Sequence, residues 1–123
     1  MAKILVIEND LSFLDLLRVH LSGAGHEVVT AEDPALGLRA IIENGPDLII
    51  LDIFLPYLSG IEVLEALRAD PATASIPVVV LTGTRDDEVF AKARKLGAAE
   101  YLTKPVQREK LLDTIEAVLA RAR

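Results

Sequence analysis

The sequence has no cysteine and no tryptophan. Without cysteine it can build neither a disulfide framework nor a thiolate metal centre. Aromatic residues are scarce, at 4% of the chain. Long apolar runs are missing as well. Leu48 to Leu51 is as long as any and falls far short of a membrane span. Met1-Ala2-Lys3 leads straight into an apolar run, so no signal peptide is visible. Basic residues are outnumbered by acids, 13 to 19, for a net charge of −6. Phosphate backbones need clustered Lys and Arg, so this balance argues against direct nucleic-acid contact by this domain. It leaves open a DNA-binding domain beyond Arg123. These absences lead us to expect a cytoplasmic protein with no membrane partner.

What is present suits one domain over residues 1–123. That length is common for a single domain, and a chain 51% hydrophobic can bury one core. The end, Ala120-Arg121-Ala122-Arg123, fits either a terminus or the first residues of a linker to a longer protein. Short apolar runs alternate five times with segments of helical period. This reads as repeated βα units, hence an α/β parallel sheet with helices on both faces. The runs are nearly continuous and β-branched, as buried parallel strands are. His26 to Ala31 is less apolar and is expected at an edge.

The helix boundaries carry their own signals. Leu14, Leu17 and Leu21 give the first helix its apolar stripe, and Gly23 or Gly25 stops it. Asp33-Pro34 is an N-cap followed by Pro at the first helical position, and Asn44-Gly45-Pro46 ends that helix. Ser59-Gly60-Ile61-Glu62 is a capping box. The fourth helix has Asp86, Asp87 and Glu88 at its start and Lys92, Arg94 and Lys95 at its end, matching the helix dipole. The last helix runs from about Gln107 to Ala120. His20 and His26 have no partner spacing for a metal and read as a helix-surface and a loop histidine.

Polar residues close the strands. Glu8 and Asn9 follow Lys3 to Ile7, Asp52 follows Asp47 to Leu51, Thr82 follows Pro77 to Leu81, and Lys104 follows Ala99 to Thr103. In a parallel α/β sheet the carboxyl ends of neighbouring strands open into one crevice, where ligands bind. Glu8 and Asp52 on adjacent strand ends would repel unless a cation relieved them. Mg²⁺ suits such oxygen ligands, because it accepts one or two carboxylates, water and a phosphate oxygen. Thr82 offers a hydroxyl, and Lys104 a point charge for a phosphoryl oxygen. Asp52 is then a nucleophile able to form an acyl phosphate. Any one of these residues alone is better explained as a solvated strand end or a cap. The joint pattern points to phosphoryl transfer, which needs mainly positioning and charge neutralisation.

These same residues carry a resemblance. The acidic corner after Ile4-Leu5-Val6-Ile7, the segment Leu51-Asp52-Ile53-Phe54-Leu55-Pro56 with Ser59-Gly60 behind it, Leu81-Thr82 and Tyr101-Leu102-Thr103-Lys104-Pro105 resemble the motifs of a response-regulator receiver domain. This is the chemotaxis-type phosphoacceptor of two-component signalling, and the likeness spans residues 3 to 120. It implies a flavodoxin-like doubly wound (βα)5 fold with a five-stranded parallel sheet of order 2-1-3-4-5. It also implies that Asp52 takes a phosphoryl group from a sensor histidine kinase or phosphotransfer protein in a Mg²⁺-dependent reaction. Thr82 and Lys104 would bind the acyl phosphate. Glu8, Asn9, Asp52 and the backbone carbonyl of Phe54 would hold the metal. Lys104-Pro105 matches a bond usually cis in the family, aiming the ammonium into the site. Thr82 and Tyr101 would form the switch. An output partner would bind the face made by the fourth helix, fifth strand and fifth helix, and a homodimer is one form the family allows. The chain would catalyse only its own phosphorylation and dephosphorylation and would not be an enzyme with a separate substrate.

One position departs from the family pattern. The usual corner has two adjacent acids, the second binding metal directly, and here that residue is Asn9. An amide oxygen still coordinates a hard cation but adds no charge, so Mg²⁺ should bind weakly, with Asp10 or water as an auxiliary ligand. The alternative is a degenerate receiver, a phosphorylation-independent interaction domain. Phe54 is a second variable position, whose ring near the mouth of the site could restrict the attacking water. A flavodoxin-like cofactor module would need a phosphate-cradling loop after the first strand, where Glu8 stands instead. A haloacid-dehalogenase-type phosphatase would need a second Asp where Phe54 stands.

Overall fold

The computed structural model describes residues 1–54, 59–83 and 86–122. Leu55 and Pro56, part of the segment that carries the resemblance, lie outside the described residues. Strands and helices alternate along the chain: β1 (Lys3–Ile7), α1 (Leu11–Gly23), β2 (Glu27–Ala31), α2 (Pro34–Asn44), β3 (Leu48–Asp52), α3 (Gly60–Ala69), β4 (Val78–Thr82), α4 (Asp87–Lys95), β5 (Glu100–Thr103) and α5 (Arg108–Ala122). All five strands are parallel, in the order β2-β1-β3-β4-β5. This is the flavodoxin-like arrangement expected, with β2 at an edge.

Side chains on a strand alternate between faces, and the core divides accordingly. Ile4, Val6, Leu48, Ile50, Val79, Leu81 and Leu102 pack with Leu14, Leu17 and Leu21 of α1 and with Leu111, Ile115 and Val118 of α5. Leu5, Ile7, Ile49, Leu51, Val78 and Val80 pack on the other side with α2, α3 and Ala93 of α4. β1, β3 and β4 are therefore buried on both faces, which is why their sequences are unbroken apolar runs.

The caps at Asp33 and Ser59 form as the sequence predicts, with Leu36 N donating to Asp33 and Glu62 N to Ser59. Asp10 and Asp86 are caps too: Phe13 N donates to Asp10, and Glu88 N and Val89 N to Asp86. Gly45 and Gly97, at the ends of α2 and α4, have φ of +57° and +78°, where a side chain would be strained. His26 is a loop histidine as expected, in the turn before β2. It is also buried, and its Nδ1 accepts a hydrogen bond from Ala2 N at 3.2 Å. An imidazole that holds the start of β1 is a structural partner, which loop composition alone does not reveal.

Candidate functional site

The strand alternation that sorts the core also sorts the polar residues at its upper end. Asp52 continues the series Leu48, Ile50. Glu8 continues Ile4, Val6, and Lys104 continues Leu102. All three therefore come up on the α1/α5 side of the sheet. Thr82 instead continues Val78, Val80, and Tyr101 packs against the α2/α3/α4 cluster. The candidate residues thus form two groups around one crevice, a charged trio on one side and a hydroxyl with an aromatic ring on the other.

The trio is in direct contact. The Lys104 ammonium lies 3.2 Å from Asp52 Oδ2 and pairs with Glu8 Oε1. Glu8 is 1% exposed and Asp52 5%, so both carboxylates are held away from bulk water. Each has a backbone partner on its second oxygen. Phe54 N donates to Asp52 Oδ1 at 3.0 Å, and Asp10 N donates to Glu8 Oε2 at 3.0 Å. Burial pushes the Asp52 carboxyl up from 3.8 to about 6. The Phe54 amide opposes the rise, the Glu8 charge adds to it, and the Lys104 charge opposes it. For Lys104, burial favours the neutral amine. The Glu8 hydrogen bond and the two carboxylate charges outweigh that and hold it above its ordinary value.

Backbone bonds lock the loops that carry these groups. Ile53 N donates to Leu81 O at 3.3 Å and Lys104 N to Thr82 O at 2.8 Å. Asp52 is the register partner of Leu81, and Thr82 of Thr103, so the ends of β3, β4 and β5 are level. Lys104-Pro105 is cis. Gly60 N donates to Ile53 O at 2.7 Å, and a Cβ at Gly60 would stand 2.5 Å from both Asp52 O and Ile53 Cα. Only glycine lets the start of α3 approach the end of β3 this closely.

The remaining predicted residues take varied positions. Thr82 is fully buried at the end of β4. Asn9 is exposed beside Glu8. The Asp10 carboxylate caps α1 through Oδ1, which commits one of its oxygens to structure. Phe54 is 46% exposed, so its ring stands at the surface while its amide faces Asp52. The Tyr101 ring lies 5.6 Å from the Phe90 ring and 5.6 Å from the Arg94 guanidinium, with its hydroxyl buried. Arg94, read from sequence as one of the basic residues matching the helix dipole, therefore has a ring partner as well. Among the described residues, Glu8 and Asp52 bring two buried carboxylates together, and Asn9 follows Glu8 in the chain with a side-chain amide oxygen. That donor set fits a hard divalent cation.

Sequence reasoning missed one neighbour of the trio. Phe13, in the first turn of α1, places its ring centroid 4.7 Å from Lys104 Nζ. Its place just inside the helix cap that follows the acidic corner was the only available signal.

Residues 4–116 match the family model for the response regulator receiver domain. Protein PilH of Pseudomonas aeruginosa is 39% identical over 123 residues, covering 98% of this chain and 99% of PilH. The DNA-binding dual master transcriptional regulator RpaA of Synechocystis is 38% identical over 121 residues, or 98% of this chain and 50% of RpaA. The chain thus spans nearly all of PilH but only about half the length of the transcriptional regulators it matches. A CheY-like receiver domain protein from Methanospirillum hungatei superposes with a TM-score of 0.94 at 29% identity, covering 99% of this chain and 96% of the other. Chemotaxis protein CheY4 of Vibrio cholerae superposes with a TM-score of 0.90 at 31% identity, covering 96% and 98%.

Proposed function

The chain belongs to the response regulator receiver domain family, and from that premise we propose that Asp52 accepts a phosphoryl group from a sensor histidine kinase or phosphotransfer protein. The observation that carries this reading is the buried Asp52 carboxylate, held between the Phe54 amide and the Lys104 ammonium. Above pH about 6 it is ionised and nucleophilic. An Asp52 oxygen forms the new bond to phosphorus as the donor's bond breaks, and the donor nitrogen leaves with the electron pair. Lys104 then holds a phosphoryl oxygen, and the Thr82 hydroxyl donates to another. When bound, Mg²⁺ would neutralise charge among Glu8, Asn9, Asp52, the Phe54 carbonyl and the phosphoryl oxygens.

The output follows from the two groups of residues. Drawing the Thr82 hydroxyl towards a phosphoryl group changes the space on the α4 side of the sheet, where Tyr101 packs. That couples a local charge event to the face of α4, β5 and α5, biasing an equilibrium between two arrangements. An output partner or a second copy of the chain would read that face. On this reading the domain turns over no separate substrate. Among the described residues no helix is long and apolar enough to cross a membrane.

One observation favours a second reading. Asn9 brings no charge to the metal corner, so the domain could signal without efficient phosphorylation. Intact mass after incubation with acetyl phosphate and Mg²⁺ separates the two. The expected result is a gain of one phosphoryl group in wild type and none in Asp52→Asn. An unmodified wild type would transfer the case to the phosphorylation-independent reading.

A further inference from the structure

Four contacts close a circuit around the acceptor. Glu8 Oε2 accepts from Asp10 N, Asp10 Oδ1 accepts from Phe13 N, and the Phe13 ring stands 4.7 Å from Lys104 Nζ. Lys104 in turn pairs with Glu8 and, at 3.2 Å, with Asp52. The cap that starts α1 therefore also sets the height of the Phe13 ring, and that ring covers the ammonium on a side the carboxylates do not occupy. Phe13 is partly buried against the α1/α5 core cluster, so its ring is held by packing as well. An ammonium is attracted to the negative face of an aromatic ring. The ring exerts this attraction without carrying a charge of its own, which matters where Asn9 stands in place of an acid.

We propose that Phe13 is a positioning residue for phosphoryl transfer: its ring holds the Lys104 ammonium over Asp52 while Glu8 is drawn to other partners. This rests on the reading of Asp52 as the phosphoacceptor. In the transfer from acetyl phosphate, an Asp52 oxygen forms a bond to phosphorus as the acetyl oxygen–phosphorus bond breaks. Acetate leaves with the electron pair, and no proton is exchanged. Negative charge builds on the phosphoryl oxygens, and the ring keeps Lys104 where it meets that charge without a search over rotamers. A long lysine stem loses much rotamer freedom when fixed, so prior confinement by Phe13 lowers the barrier.

The test compares the rate of Asp52 phosphorylation by acetyl phosphate, with Mg²⁺, in wild type, Phe13→Leu, Phe13→Tyr and Phe13→Trp. Leucine keeps the apolar packing and removes the ring face. Its rate should fall about two- to fivefold, the loss expected of an ammonium–ring contact at a part-exposed site. Tyrosine and tryptophan should hold the rate within about twofold of wild type. A second readout needs neither donor nor metal: the Lys104 side-chain methylene protons, shifted by the ring current of Phe13 in wild type, should move to ordinary positions in Phe13→Leu and stay shifted in Phe13→Trp. Equal rates in wild type and Phe13→Leu overturn the proposal and leave the phosphoacceptor reading intact. So do equal losses in Leu and Trp, which would assign Phe13 to packing alone. A wild type that takes up no phosphoryl group removes both.

Discussion

At the scale of single residues, Asp52 carries a cost that the rest of the domain covers. Its folded-state pKa of about 6 lies above the unfolded value of 3.8. The folded protein therefore binds this proton more tightly than the unfolded chain does. Between pH 3.8 and about 6 the contribution of Asp52 to stability falls as pH rises, and above that window it stays low. Asp52→Asn removes the buried charge and leaves Lys104 paired with Glu8. The variant should be more stable than wild type at pH 7 by about 1–3 kcal/mol, with the two converging near pH 4. Urea denaturation at a series of pH values checks this, and a constant difference across that range would contradict it. The residue best suited to react is thus one the fold would be more stable without.

At the scale of elements, Arg68 joins three segments, two of them close in the chain and the third distant. From the last turn of α3 it donates to Leu96 O at 2.8 Å, to Ala74 O and Ile76 O at 3.0 Å each, and to Gly97 O at 3.3 Å. Its guanidinium ties the end of α3 and the loop before β4 to the turn between α4 and β5. Burial lowers its pKa, and the four carbonyls satisfy the donors that burial strips of water. Arg68→Ala leaves those carbonyls without this partner and should cost about 2–4 kcal/mol. Arg68→Lys should recover little of it, because an ammonium cannot reproduce the planar fork. Chemical unfolding midpoints measure both, and a loss under about 1 kcal/mol in Arg68→Ala would show that the carbonyls find other partners. The pin holds the rear end of α4, and the Asp86 cap holds its front end.

At the scale of the whole molecule, Mg²⁺ and folding should be linked, since a ligand that binds only the folded state stabilises it. The thermal midpoint of wild type should climb only at high Mg²⁺. That of Asn9→Asp should start lower, from like-charge repulsion beside Glu8, and climb at lower concentration. Saturation at a hundred times the dissociation constant is worth about 2.7 kcal/mol. Superimposable titration curves for the two proteins would show that residue 9 is no metal ligand. Much of the molecule was legible from the chain. The caps at Asp33 and Ser59 are local signals, and the order of the sheet came with the family resemblance. The trio Glu8, Asp52 and Lys104 was legible because strand ends converge in any parallel sheet. The ring of Phe13 over Lys104, the fork of Arg68 and the burial of His26 were not. Each depends on how one helix face or one loop lands on a distant segment, and local periodicity holds no record of that.

The Lys104 amide is tied to the Thr82 carbonyl, so the main chain of both residues is clamped at the level of the sheet. On the proposed function, the answer to an incoming phosphoryl group at these two positions falls to their side-chain torsions. Such rotations run far ahead of the making or breaking of an oxygen–phosphorus linkage. On that reading, how long the message lasts is set by the durability of one acid anhydride, and the protein scaffold acts as a reader with no memory of its own.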